Sequence, residues 1–146
     1  MVAWSVLETV IQTAIMKELG ITPAKAVITT GKLQFQPRVQ LLINLLKLKD
    51  TPDRDAIKLL QKTEGFAHRN TIVHGIIIIG DPSKLTFIKY DGGASIKQIF
   101  TPETMEKHIL GLNERTEKLQ ELLNVSDEEI QLIGDATLNF SKNLKA

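Results

Sequence analysis

The sequence predicts a mostly α-helical, antiparallel bundle with one small β-hairpin inserted after its third main helix. Three observations carry this. Apolar residues recur at three- and four-residue spacing through most of the 146 positions. The period breaks into short β-branched runs only between about residues 76 and 100. Helix-start chemistry, Thr-Pro at 22, 51 and 101 and Ser126-Asp-Glu-Glu129, stands ahead of the periodic segments. With 42% apolar residues and no cysteine, one core of domain size can form without disulfides. Residues 1–146 read as a single domain.

Leu7, Val10, Ile11, Ala14, Ile15 and Leu19 define a first amphipathic helix, stopped at Gly20. Of the three Thr-Pro pairs, Thr22-Pro23 is the weakest start. Val27, Ile28, Thr29 and Thr30 are β-branched, and Gly31 follows at once. From Gln36-Pro37 the residues Val39, Leu41, Leu42, Leu45, Leu46 and Leu48 form a wide stripe, so this helix, ending near Lys49, should lie at the centre of the bundle. Thr51-Pro52 restarts the chain. Ala56, Leu60, Thr63, Ala67 and Asn70 then carry a third helix to His74, with Gly75 as its stop.

Ile76 to Ile79, a turn at Asp81-Pro82, and Leu85, Phe87 and Ile88 give the hairpin, with a shorter extended piece over Ile96 to Phe100. Lys84, Lys89 and Lys97 keep its edges polar. Thr101-Pro102-Glu103 opens a long helix whose Met105, Ile109, Leu112, Thr116, Leu119 and Leu123 form a narrow seam. Ser126 and Glu129 box the start of an extra C-terminal helix over about 127–144.

Eighteen basic and 17 acidic residues leave a net charge of +1, which excludes binding of nucleic acid by bulk charge. The absence of cysteine excludes thiolate zinc sites and thiol nucleophiles. No long uninterrupted apolar run and no basic leader is present, and Glu8 interrupts the apolar N-terminus; the expected location is the cytoplasm.

One stretch concentrates chemistry: Ala67-His68-Arg69-Asn70-Thr71-Ile72-Val73-His74-Gly75. Asn70 and His74, four apart, share a helix face. Arg69 and His74, five apart, stand about 140° around the helix, which suits a site shared with another surface. Histidine shuttles protons near neutrality. Arginine matches phosphate with a planar fork. Asparagine orients an imidazole or holds a hydroxyl. Attack of a 2′-hydroxyl on its own phosphodiester needs a proton shuttle and a cation for the crowded, negative transition state, and needs no metal or cofactor. The plainer alternative is that Arg69 and His74 only face the carbonyl end of the helix dipole. His68 and Glu64 are weaker candidates for substrate contact, since exposure or a solvated face explains each. His108 reads as structural or solvent-facing, and Trp4 as a helix-contact residue.

The Arg69-Asn70-xxx-His74 pattern, late in a helix that follows a Leu-rich helix and precedes a hairpin and a long Thr-Pro helix, resembles the Arg-x(4–6)-His signature of HEPN domains, the higher eukaryote and prokaryote nucleotide-binding superfamily. The likeness spans roughly Val2 to Leu123. It implies a helical homodimer acting as a metal-independent endoribonuclease, a toxin or defence effector, with Arg69 and His74 catalytic and Asn70 supporting them. RNA would be the substrate, and an antitoxin or other partner protein would accompany it. The alternative within the same resemblance is a non-catalytic dimeric interaction module. The antitoxin-controlled branch often carries Tyr two residues after His; Ile76 stands there, so regulation through that Tyr is not carried over.

Overall fold

The computed structural model describes residues 2–67, 76–78, 80–81, 83–91 and 93–144. Among them the chain forms a mostly α-helical fold with a three-stranded antiparallel sheet. Four helices come first: α1 (Val2–Leu19), α2 (Pro23–Thr30), α3 (Phe35–Lys47) and α4 (Arg54–Ala67). Strands β1 (Ile76–Ile78), β2 (Leu85–Asp91) and β3 (Ala94–Phe100) follow, then α5 (Pro102–Leu122) and α6 (Asp127–Leu144).

The centre of the bundle is α1, not the Leu-rich α3. Helix α1 packs against α2, α3, α5 and α6, and Leu7, Val10, Ile11, Ala14 and Ile15 are buried. Apolar residues line more than one side of α1, as a helix with neighbours all round requires. Helix α3 buries Phe35, Val39, Leu42, Ile43 and Leu46. Its Leu41 and Leu45 are half-covered, and Leu48 is 81% exposed beyond the helix end. The wide stripe therefore overstates how much of α3 is enclosed.

Helix α2 forms despite its β-branched run. The Thr22 hydroxyl accepts from the Lys25 backbone N–H at 3.3 Å, and Pro23 takes a position that needs no N–H. The Thr29 and Thr30 hydroxyls donate back to carbonyls one turn earlier. Burial of Ala26 beside Met16 and Ile133 supplies what propensity lacks. Gly20, at φ +62°, makes the left-handed turn between α1 and α2.

Helix α4 starts later than Thr51-Pro52 indicates. The Asp53 carboxylate accepts from the backbone N–H groups of Asp55 and Ala56, both at 3.1 Å, so Asp53 is the cap. The Thr101 cap of α5 and the Ser126–Glu129 box of α6 form as expected. Thr104 N–H donates to Thr101, and Glu129 N–H donates to Ser126 while the Ser126 N–H donates to Glu129.

The extended piece after the hairpin is a full strand. β2 pairs β3 over its whole length, from Leu85 opposite Phe100 to Asp91 opposite Ala94. Gly93, at φ +85°, makes the tight return. β1 pairs with the other edge of β2, with Ile76 opposite Ile88. Phe87 and Phe100 point from the sheet into the helical core and meet edge-on, with centroids 6.0 Å apart.

Candidate functional site

His68, Arg69, Asn70 and His74 lie outside the described residues, so their mutual geometry is not described. Glu64, the other candidate, is half-buried on α4, five residues before Arg69. What the structure places is the frame at both ends of the 68–75 segment. The described part of α4 reaches Ala67 and the described chain resumes at Ile76 in β1; the expected course of this helix to His74 and its stop at Gly75 lie outside the described residues.

Ala67 is held from outside its own helix. It is buried, and its carbonyl accepts the Trp4 indole Nε1–H at 2.8 Å. The bond gives this carbonyl a partner on another helix. It also ties the last described turn of α4 to the start of α1. Trp4 thus acts as the helix-contact residue that its amphipathic ring predicts.

Phe66, one residue earlier, lies between two ring-facing groups. The His108 imidazole stacks on it with centroids 4.6 Å apart at 22°. The Arg115 guanidinium carbon sits 3.7 Å from its centroid, and Arg115 Nη1 donates to the Gly111 carbonyl at 3.1 Å. His108 also meets Trp4 at 5.9 Å and Phe100 at 5.3 Å. It is buried, which settles its two sequence readings in favour of the structural one. The cluster joins α1, α4, α5 and the sheet at one point, three residues from Arg69.

Gly111 is the signal that sequence reasoning missed. Glycine inside a helix costs about 1 kcal/mol relative to alanine. Here a Cβ would fall 2.9 Å from Phe66 Cζ and 3.2 Å from Arg115 Nη1. The absent side chain lets the edge of the Phe66 ring approach α5 at Gly111, with His108 and Arg115 against the ring.

A second feature lies along the same helix pair. Leu59 and Lys118 line one groove near one end of the α4–α5 contact, and Phe66 faces Gly111 near the other, so the two helices run antiparallel. A groove of 400 Å³ opens along this seam, lined by Lys58, Lys62 and Lys118, with Asp55 beside them and Leu59 and Leu122 as its floor. A wider groove of 780 Å³ between α1, α2 and α6 is mainly apolar, with Val27, Ile28 and Phe140 in its walls.

Among the described residues no group of three or more His, Asp or Glu is placed to hold a metal, and no helix is long and apolar enough to cross a membrane. No family model, curated protein or solved structure matches the chain.

Proposed function

We propose that the chain is a metal-independent endoribonuclease of HEPN type, acting as a homodimer, with the catalytic groups on residues 69–74. The observation that carries the reading is Arg69-Asn70-xxx-His74 itself, which follows in sequence a turn of α4 held by Trp4, His108 and Arg115. A transferring phosphodiester demands positions good to a fraction of an ångström. The Trp4–Ala67 bond and the Phe66 stack supply a rigid base for such a segment. The helical bundle with its sheet following the motif fits the same reading.

In this mechanism His74 removes the proton from a ribose 2′-hydroxyl. The freed oxygen attacks the adjacent phosphorus, and the P–O5′ bond breaks. The departing 5′-oxygen takes a proton from the partner copy's imidazole or from water. Arg69 stabilises the charge of the five-coordinate transition state, and Asn70 orients His74. The products are a 2′,3′-cyclic phosphate and a 5′-hydroxyl. Two copies facing across a two-fold axis bring four such side chains to one cleft, which resolves the angular offset between Arg69 and His74.

The test is cleavage of a labelled single-stranded RNA in EDTA, with end-group analysis of the products. Arg69→Ala and His74→Ala should each lower the rate by roughly 10²- to 10⁴-fold, the range that general acid–base and charge-stabilising groups supply. Cleavage by either variant at the parental rate refutes the mechanism. No cleavage by the parent, together with a stable complex with a partner protein, establishes the non-catalytic interaction module instead.

A further inference from the structure

Three lysines converge on the α4–α5 groove. Lys58, Lys62 and Lys118 are exposed, and none makes a salt bridge among the described residues. Lys58 and Lys62 are four apart on one helix, so they project on the same face and repel, a cost of about 0.2–0.5 kcal/mol. Lys118 faces the same groove from the neighbouring helix. One carboxylate, Asp55, lines the groove with them and leaves cations in excess. Structural lysines are ordinarily dispersed or paired; three converging on a groove, with a single acid beside them, create a local positive field.

The line continues toward the proposed catalytic segment. Arg115 lies one turn before Lys118 on α5, and Phe66 lies one turn after Lys62 on α4, where the two stack. The fork of Arg115 is therefore held in place, and one of its donors is spent on Gly111. From Lys58 to Ala67 is nine residues of helix, about 13.5 Å at 1.5 Å per residue. Four cations, Lys58, Lys118, Lys62 and Arg115, thus mark one seam that reaches Phe66 in the last described turn of α4. The floor offers Leu59 and Leu122 but no open aromatic face, because Phe66 is enclosed by His108 and Arg115. Such a surface recognises repeated phosphates rather than bases.

We propose that the α4–α5 seam is a phosphate track that binds the backbone of a single-stranded RNA. The proposal rests on the ribonuclease reading for the choice of RNA as the polyanion, though not for its chemistry. It is tested with a fluorescein-labelled oligouridylate, in the His74→Ala background so that cleavage does not intrude. Binding is followed by anisotropy from 50 to 500 mM salt. The comparison is with Lys58→Gln/Lys62→Gln/Lys118→Gln in the same background, its fold checked by circular dichroism.

Each phosphate contact on a single strand contributes about 0.7 to the slope of log K against log salt. Loss of three contacts should flatten the slope by about 2 and weaken binding about 100-fold at 0.1 M salt. An unchanged slope and affinity in the folded triple variant overturns the track, even if the parent chain cleaves RNA. A flattened slope with a parent that does not cleave retains the track and removes the nuclease reading. Absence of RNA binding by the parent overturns the track outright. Arg115→Gln, added singly, should flatten the slope by about 0.7, and Arg115→Lys should restore it.

Discussion

Replacement of Gly111 by alanine sets two known effects against each other at one atom. Alanine in a helix interior is favoured over glycine by about 1 kcal/mol. The new Cβ, however, would fall 2.9 Å from Phe66 Cζ, 3.4 Å from Phe66 Cε1 and 3.2 Å from Arg115 Nη1. Arg115 is the far end of a flexible side chain and can yield. Phe66 cannot move freely, because His108 stacks on it. Overpacking of this kind costs about 1–3 kcal/mol. Gly111→Ala should therefore be neutral to destabilising, by about 0–2 kcal/mol. In a Phe66→Leu background the clash is relieved, and the same substitution should stabilise by about 1 kcal/mol. Urea unfolding of the four proteins gives the coupling energy, expected at about 1–3 kcal/mol. A stabilisation of about 1 kcal/mol in both backgrounds would show that Phe66 does not lie against Gly111. The account of the Phe66 cluster would then fail with it.

Two further outcomes follow from the helix caps. Asp53→Ala should cost about 1 kcal/mol of stability in urea melts, since two backbone N–H groups lose their acceptor, whereas Thr51→Ala should stay within about 0.5 kcal/mol; equal effects would contradict Asp53 as the cap. Glu129 is held below its ordinary value of 4.5, first by the Ser126 backbone N–H and then by Lys17 Nζ at 3.1 Å, against the opposing effect of its partial burial. A carboxyl with a depressed folded pKa contributes stability that is complete above the unfolded value and disappears as pH falls through the folded one. The stability difference between the parent and Glu129→Gln should thus be constant near neutrality and shrink below about pH 4.5, and a difference independent of pH down to the acid transition would refute this.

Periodic and capping signals were legible because they are local. The Ser126–Glu129 box, the Thr101 start and the seam from Met105 to Leu123 need only neighbours within a turn or two. What the sequence left ambiguous depends on distant partners. Helix α2 needs Ile133 of α6 to bury Ala26, so its β-branched composition misleads when read alone. The central place of α1 depends on how many helices surround it, which the width of the α3 stripe does not report. Thr51 and Asp53 are both good capping residues, and only the backbone path selects Asp53. At the candidate site, residues 68–74 stand out by composition, but their support does not. Trp4 and Ala67 are 63 residues apart in sequence, and Gly111 looks like an ordinary weak point in a helix until Phe66 is placed against it.

The same distinction bears on the near-neutral charge. A net +1 excludes bulk attraction of a polyanion, yet charge acts over about 8–10 Å in physiological salt, not over the whole molecule. Helix α5 separates the signs within that range. Lys118, with Arg115 one turn before it, faces the α4 seam, while Glu117 and Glu121 line a different groove, at the turn into α6. The two charge sets cancel in the sum and do not cancel in space. The α4 side presents three lysines beside one carboxylate, Asp55, and the side toward α6 presents Glu117 and Glu121. Balance in composition is therefore compatible with a polarised surface, and the polarity alone would choose which side of α5 an anionic strand takes.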